Sequence, residues 1–274
     1  MPSIESNGIN LSYEDTGGDG RTVVLVHGWP LSGASWSEQV PALTDAGYRV
    51  ITYDRRGFGA SDKPEDGYDY DTFTADLAGL LDGLDVTDAT LVGFSMGGGE
   101  VARYLGQHGD SGRVSSGVLA GAVPPYLLKT DDNPEGGLGE DDVAGMVNGA
   151  TSDRDGFLKG FLTNFFSANG DLVVSQERVD QAFVLSQPAR DEAVVGCINA
   201  FSRTDFRADL AAISQPCLVI HGDSDAIVPF EVSGKRTADS LEDSTLVVVE
   251  NAPHGFNVSH SAEFNKALLD FLSR

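Results

Sequence analysis

Short runs of β-branched and apolar residues alternate along this chain with segments in which apolar residues recur every three or four positions. The first pattern is typical of buried strands and the second of amphipathic helices. The predicted strands are Ile9–Tyr13, Thr22–Val26, Arg49–Tyr53, Thr90–Val92, Gly117–Leu119, Cys217–Ile220 and Thr245–Val249. This alternation predicts an α/β fold whose mostly parallel sheet carries helices on both faces. In such a sheet, ligands bind beyond the carboxyl ends of the strands.

The alternation stops over residues 124–215, between the two strand-rich parts of the chain. Within this stretch Phe157, Phe161 and Phe165 recur every four residues, with leucines beside them. This spacing predicts a helix with an apolar stripe, which either packs into the core or roofs a pocket. We therefore predict a single domain in which residues 1–123 and 216–274 form the α/β core and residues 124–215 form an inserted helical cap.

Charge is the strongest departure from an ordinary composition. The chain has 274 residues, 41% of them hydrophobic, as expected of a globular protein. Lys and Arg total 18 against 42 Asp and Glu, so the net charge is −24. The acidic residues are spread along the chain, and concentrated salt would screen their repulsion. We therefore expect a cytoplasmic protein of a high-salt cell. Nucleic acid is not an expected partner, because no basic patch is present to neutralise phosphates.

Membrane, metal and redox signals are missing from the sequence. The N-terminal MPSIESNG lacks the regions of a signal peptide, and no apolar run approaches the ~20 residues of a membrane span. Cys197 and Cys217 match no metal or redox spacing and are expected to be free thiols in a reducing compartment. We expect no metal, no cofactor and no membrane partner.

The stretch TLVGFSMGGGEVARYLGQ contains the pattern G-x-S-x-G at residues 93–97. An apolar strand precedes this pattern and a helical pattern follows it, which is the context of a nucleophile elbow. Ser95 would then project its hydroxyl above the sheet, at a helix N-terminus that favours developing negative charge. Ser95 is therefore the candidate nucleophile.

A serine nucleophile needs a base, and the base needs a carboxylate that orients it. His254 follows the last strand in a loop with Pro and Gly neighbours, whereas His27 and His221 directly precede Gly at strand ends and are interpreted as structural. Asp223 and Asp225 both follow the strand Cys217–Ile220. The order Ser, Asp, His along the chain is that of the α/β-hydrolases, but spacing alone does not separate the two aspartates.

The segment HGWP, which follows the strand Thr22–Val26, bears on the oxyanion that such a reaction creates. An oxyanion is held by backbone N–H groups, one from the residue after the nucleophile and one from the loop after an earlier strand. Met96 supplies the first group. Trp29 is able to supply the second, whereas Pro30 has no N–H to donate.

Together these motifs resemble the cofactor-free, non-haem chloroperoxidase and aryl-esterase family of α/β-hydrolases. The matching stretches include HGWP, YDRRGFGASDKP, TLVGFSMGGGEVARY, CINAFSRTDFR, VIHGDSDAIVPFE and APHGFN, and they run across nearly the whole chain. The resemblance implies an α/β-hydrolase fold with a helical cap. It implies Ser95 as nucleophile, His254 as base and Asp225 as the orienting acid in preference to Asp223.

The same resemblance implies the oxyanion donors, the substrate contacts and the assembly. The donors are the N–H groups of Trp29 and Met96. The implied substrate contacts are Pro30, Phe157, Phe161, Phe201, Ile227 and Val228. Family members commonly form homo-oligomers and use neither metal nor cofactor, so both properties are expected of this chain.

The implied activity is acyl transfer through an acyl-enzyme formed from a small-molecule ester or carboxylic acid. Water as acceptor gives esterase activity, whereas hydrogen peroxide gives a peracid that oxidises halide, which is seen as chloroperoxidase activity. Because Pro30 restricts the backbone of Trp29, we hypothesise that the Trp29 carbonyl accepts a hydrogen bond from incoming peroxide.

Two alternatives remain open at this point. One is a carbon–carbon or lactone hydrolase on the same fold, and the other is a hydrolase-fold receptor that binds a ligand and turns it over weakly. Haloalkane dehalogenase and epoxide hydrolase chemistry are disfavoured, since those resemblances need Asp at the position of Ser95.

Overall fold

The computed structural model describes residues 1–274, and its centre is a twisted sheet of eight strands. The chain forms ten strands in all: β1 (Ser3–Ser6), β2 (Ile9–Asp15), β3 (Thr22–Val26), β4 (Arg49–Tyr53), β5 (Ala89–Phe94), β6 (Val114–Ala120), β7 (Ser167–Ala168), β8 (Asp171–Leu172), β9 (Cys217–Gly222) and β10 (Ser244–Val249). Their order across the sheet is β1-β2-β4-β3-β5-β6-β9-β10, while β7 and β8 form a separate hairpin. From β4 to β10 all neighbours are parallel, and only β2 runs against the other strands, pairing antiparallel with both β1 and β4.

Eleven α-helices accompany these strands. They are α1 (Gln39–Asp45), α2 (Tyr70–Gly83), α3 (Met96–His108), α4 (Glu140–Ser152), α5 (Arg154–Phe165), α6 (Gln176–Ser186), α7 (Asp191–Arg203), α8 (Arg207–Ala212), α9 (Gly234–Ser240), α10 (Phe256–Ser259) and α11 (Ser261–Leu272). Two short 3-10 helices cover Gly33–Trp36 and Gly109–Ser111. No helix combines the length and the apolar character needed to cross a membrane.

Strand β3 shows why the central strands are apolar at every position. All five of its residues are buried, because helices cover both faces of the sheet. Val24 and Val26 belong to one apolar cluster, which includes residues of α2 and α3. Val23 and Leu25 point the opposite way into a second cluster, which includes residues of α11. The predicted α/β class is confirmed, with a mainly parallel sheet between two helical layers.

The chain between β6 and β9 contains α4 to α8 and the β7–β8 hairpin, and no strand of the central sheet. Asp153 caps the N-terminus of helix α5, where its carboxylate accepts a hydrogen bond of 3.1 Å from the Gly156 N–H. The helix carries the phenylalanines of the predicted stripe. Phe165 is fully buried, whereas Phe157 and Phe161 are half-buried. Both cysteines are buried and free.

Candidate active site

Ser95 occupies a strained turn between β5 and α3. Its φ of +54° lies in the left-handed region, which is unfavourable for a residue with a side chain. The glycines around it permit close packing of backbones: a Cβ at Gly97 would lie 2.3 Å from the Val26 carbonyl oxygen. Backbone bonds fix the turn, since the Ser95 N–H donates to the Ala120 carbonyl at 2.9 Å. The hydroxyl is thereby presented beyond the carboxyl end of the sheet.

His254 and Asp225 complete a hydrogen-bonded chain that starts at Ser95. His254 Nε2 lies 2.9 Å from Ser95 Oγ, and His254 Nδ1 lies 2.6 Å from Asp225 Oδ2. All three side chains are buried, with relative exposures of 7% or less. Asp223 is exposed, and its carboxylate accepts a hydrogen bond only from Ser224. The structure therefore brings Asp225, and not Asp223, to the histidine.

The Asp225 carboxylate is held from several sides. Its Oδ1 atom accepts hydrogen bonds of 2.9 Å from the Ile227 N–H and 2.8 Å from the Val228 N–H. Burial raises the pKa of the Asp225 carboxyl, but its contacts with His254 and His221 lower that pKa by more. The net pKa lies well below the ordinary value for aspartate, so the group is ionised at neutral pH.

Two backbone N–H groups in the segments around Ser95 have no hydrogen-bond partner in the chain. Met96 is the first residue of α3, so its N–H has no partner within the helix. The Trp29 N–H makes no hydrogen bond within the chain. The loop that carries it lies against the nucleophile, since a Cβ at Gly28 would be 3.1 Å from the Ser95 Cβ. This pair can donate to an oxyanion formed on an acyl group at Ser95.

A buried polar network supports the loop that carries Gly28 and Trp29. The Arg55 N–H donates to His27 Nε2 at 3.0 Å, and the Arg55 guanidinium donates to the His27 carbonyl at 2.6 Å. The guanidinium also pairs with Glu100, which accepts a hydrogen bond of 2.8 Å from the Tyr53 hydroxyl. Burial lowers the pKa of His27 well below its ordinary value, and the positive charge of Arg55 lowers it further. His27 is thus a structural neutral histidine, as interpreted from its position before Gly28.

A narrow apolar cavity of ≈ 40 Å³ opens onto the Ser95 hydroxyl. This volume leaves room for about three water molecules, or an organic group of a few heavy atoms. The lining residues are Trp29, Ser95, Val123, Leu127, Leu138, Met146, Phe161, Phe201, Ile227 and Val228.

Four of the six implied substrate contacts line this cavity, namely Phe161, Phe201, Ile227 and Val228. Pro30 does not line it, because it follows Trp29 into the buried turn at the end of β3. Phe157 does not line it either, although its ring packs against that of Trp29.

Sequence reasoning did not identify the other apolar lining residues, which are Val123, Leu127, Leu138 and Met146. The first three lie in the irregular segment after β6, where no periodicity marks a buried face. Met146 lies on α4, and its one available signal was its place in an apolar i, i+3 pair with Val143.

The Trp29 indole joins the loop after β3 to the helices that follow β6. Its ring centroid is 4.8 Å from that of Phe161, 5.7 Å from that of Phe201 and 6.3 Å from that of Phe157. Its Nε1–H donates a hydrogen bond of 3.2 Å to the Val194 carbonyl of α7. One residue therefore offers a free backbone N–H beside Ser95 and an aromatic wall to the cavity.

Comparison with known proteins identifies the family of the chain. Residues 21–261 match the α/β-hydrolase fold family. A bromoperoxidase from Bacillus anthracis superposes with a TM-score of 0.94 and 52% identity, covering 97% of this chain and 96% of that one. A non-heme chloroperoxidase from Kitasatospora aureofaciens is 43% identical over 272 residues, 98% of each chain. A bifunctional esterase/perhydrolase from Acinetobacter calcoaceticus is 34% identical over 275 residues, 97% of each chain.

Proposed function

This chain belongs to the α/β-hydrolase family, in the branch that holds non-haem chloroperoxidases and esterase/perhydrolases. From that membership we propose that it is a serine esterase that also makes peracids. One observation carries the proposal. The chain of hydrogen bonds that runs from Asp225 through His254 ends at Ser95, which lines an apolar cavity. This arrangement is able to activate a serine hydroxyl against an acyl carbonyl.

Acylation follows from the positions of the three side chains. Ser95 Oγ attacks the ester carbonyl while His254 Nε2 takes the hydroxyl proton, and the same nitrogen then protonates the departing alcohol. Ionised Asp225 keeps the Nδ1 proton on the imidazole and stabilises its positive charge. The N–H groups of Trp29 and Met96 hold the oxyanion, and such donors are each worth about 10²–10³ in turnover.

Deacylation decides which product leaves. Water, deprotonated by His254, returns the carboxylic acid and free Ser95. Hydrogen peroxide attacking in the same way gives a peracid, RCO₃H, instead. The peracid then oxidises chloride outside the site, RCO₃H + Cl⁻ → RCO₂⁻ + HOCl, so halide oxidation needs no redox group on the protein. A single acyl-enzyme would thus explain why one relative is named a chloroperoxidase and another an esterase/perhydrolase.

The cavity supports a small, uncharged acyl group as the substrate moiety. Nine of its ten lining residues are hydrophobic and its volume is ≈ 40 Å³. A charged acyl group would lose its hydration there without gaining a partner, at a cost of several kcal/mol. We therefore extend the proposal to short-chain esters and to short carboxylic acids that enter in the neutral form.

Residues 124–215 are proposed as the cap of this cavity, because α4, α5 and α7 contribute Met146, Phe161 and Phe201 to its lining. A homo-oligomer remains part of the proposal, on the resemblance alone. A high-salt cytoplasm also remains part of it, on the net charge of −24 and on the two free thiols.

The test compares the wild type with Ser95→Ala and Ser202→Ala in concentrated KCl. Ser202 is a matched control, because it is a buried serine whose hydroxyl has no hydrogen-bond partner. p-Nitrophenyl acetate reports hydrolysis, and acetate with hydrogen peroxide reports peracid formation. We expect both activities to fall by a factor of at least about 10³ in Ser95→Ala and to persist in Ser202→Ala.

Three outcomes would contradict the proposal. Equal activity in the wild type and Ser95→Ala would remove the serine mechanism. Ligand binding without turnover by the wild type would favour a receptor. Turnover of lactones or of carbon–carbon bonds in preference to every short ester would favour the other hydrolase class.

A further inference from the structure

His221, the last residue but one of β9, contacts the same oxygen of the Asp225 carboxylate as His254 does. The Nε2 atom of its fully buried ring lies 2.7 Å from the Val228 carbonyl oxygen and 3.3 Å from Asp225 Oδ2. A carbonyl oxygen can only accept, so the Nε2 atom carries the proton. The longer contact, from Nε2 to Asp225 Oδ2, is then an electrostatic attraction between the N–H dipole and the negative carboxylate.

The rest of the ring is fixed by packing alone. The Nδ1 atom has no hydrogen-bond partner. A Cβ at Gly234 would lie 2.5 Å from this atom, so the glycine allows α9 to begin directly against the ring. Phe230 packs on it with a centroid distance of 5.7 Å. A buried polar atom left without a partner costs free energy, which points to a use for the other ring nitrogen.

His221 closes a loop of contacts around Val228. The Val228 N–H donates to Asp225 Oδ1, and the Val228 carbonyl accepts from His221. Ile227 and Val228 also form part of the cavity wall. The His221 ring therefore restrains both the Asp225 carboxylate and the segment Ile227–Val228, which lines the cavity.

Building on the proposed esterase function, we infer that His221 is a positioning residue that holds Asp225 in line with His254 and takes up part of the carboxylate's charge. The titratable groups in contact with the carboxylate are His221 and His254. His254 itself is flanked by the uncharged rings of Phe94 and Phe165 and by Ser95. Asp225 thus divides its charge between two imidazoles, of which only His254 faces the reacting atoms.

The test uses two variants of similar size, His221→Gln and His221→Met. The glutamine amide can place an N–H donor close to the position of Nε2, whereas the methionine thioether cannot. Esterase kcat and KM are measured from pH 5 to 9, with active sites counted by an organophosphate that labels Ser95. The ¹H NMR signal of the His254 Nδ1 proton gives a readout that does not depend on turnover.

For His221→Met we expect kcat/KM to fall about tenfold or more, with most of the loss in kcat. We also expect the acidic limb of the kcat/KM profile and the Nδ1 proton signal to move from their wild-type positions, because the carboxylate is no longer held in line with His254 and no longer shares its charge with His221. His221→Gln should stay within about threefold of the wild type and keep its pH profile.

Equal losses in the two variants with an unmoved acidic limb and NMR signal would overturn the inference and leave His221 a packing residue. Full activity in His221→Met would overturn it as well. A wild type that hydrolyses no ester would instead contradict the proposed function, so the two failures are distinguishable. If His221→Met does not fold, His221→Gln with a shifted acidic limb would still count against the inference.

Discussion

The Trp29 indole Nε1–H donates a hydrogen bond to the Val194 carbonyl oxygen over 3.2 Å, and this bond ties the loop after β3 to helix α7. The backbone N–H of the same tryptophan is free and lies in the loop packed against Ser95. A shift of α7 would therefore move Trp29, whose backbone N–H is the proposed donor to the oxyanion. On the proposed roles of residues 124–215 and of Trp29, this indole couples the position of the cap to stabilisation of the oxyanion.

Trp29→Phe tests this link, since it keeps an aromatic wall but removes the donor to Val194. We expect kcat/KM for a short aryl ester to fall about two- to tenfold, because one buried hydrogen bond is lost. The matched control is Trp36→Phe, which removes a buried indole whose Nε1 has no partner and which does not line the cavity. A larger loss of activity in Trp36→Phe than in Trp29→Phe would contradict the link.

Asp225→Asn should lower kcat by about 10⁴, because an amide in place of the carboxylate favours the wrong imidazole tautomer. Asp223→Asn is the matched control two residues away, and its exposed side chain touches no part of the site. We expect its kinetics to match the wild type. Reversal of this order would show that the acid was assigned to the wrong residue.

The same variant carries a prediction for stability. The pKa of Asp225 is lowered in the folded protein, so its contribution to stability is complete above the unfolded pKa of about 3.9 and is lost as the pH falls below it. The stabilisation that the ionised carboxylate gives the wild type over Asp225→Asn should therefore be lost as the pH falls below about 4, as chemical denaturation of both proteins from pH 5 down to pH 2 would show.

Phe161→Ala should widen the acyl preference of the enzyme. Phe161 lines the cavity and packs on Trp29, so its removal leaves space beside the bound acyl group. We expect kcat/KM for butyrate and hexanoate esters to rise relative to acetate. Phe157→Ala is the control, because Phe157 is also half-buried on α5 but lies outside the cavity. An equal change of chain-length preference in the two variants would count against the assigned acyl site.

Pro30→Leu should lower the ratio of perhydrolysis to hydrolysis. The Trp29 carbonyl oxygen accepts no hydrogen bond within the chain and so is free to accept one from peroxide. Proline at position 30 restricts the Trp29 backbone, and leucine would relax that restriction. The ratio is measured as peracid and acid formed from one ester at fixed peroxide. An unchanged ratio would leave Pro30 a turn residue only.

Salt should stabilise the fold. With a net charge of −24, repulsion between carboxylates opposes compaction in dilute buffer. The Debye length falls from ~10 Å at 0.1 M to ~3 Å at 1 M salt, so Tm should rise over this range of KCl. Sucrose at equal osmolality is the control for effects other than screening. A Tm that falls as KCl is added would rule out adaptation to salt.

The strands illustrate how far the sequence determines the fold. Thr22–Val26 and Arg49–Tyr53 were predicted with the bounds that the structure has, because their apolar runs end at clear turn residues. Strand β1 was not predicted, because Ser3–Ser6 holds a single apolar residue and pairs only at the sheet edge. Its pairing with β2 depends on register, which local composition does not encode.

In the candidate site, too, some residues could be identified from the sequence and others could not. Ser95 and His254 could be identified from motifs, because a nucleophile elbow and a Gly/Pro loop after a strand each have a local signature. Asp223 and Asp225 could not be separated by spacing, because the difference lies in burial and in the N–H groups of residues 227 and 228. The contact between His221 and Asp225 was also invisible, since it depends on how β9 and the loop after it fold back on each other.

The two donors assigned to the oxyanion are main-chain N–H groups, and this has a genetic consequence. No exchange of side chain at positions 29 and 96, other than to proline, can delete either donor. The side chain at position 29 also lines the cavity proposed to hold the acyl group. Substitutions at position 29 can therefore change which substrates fit the cavity during evolution, while both N–H donors to the oxyanion are retained.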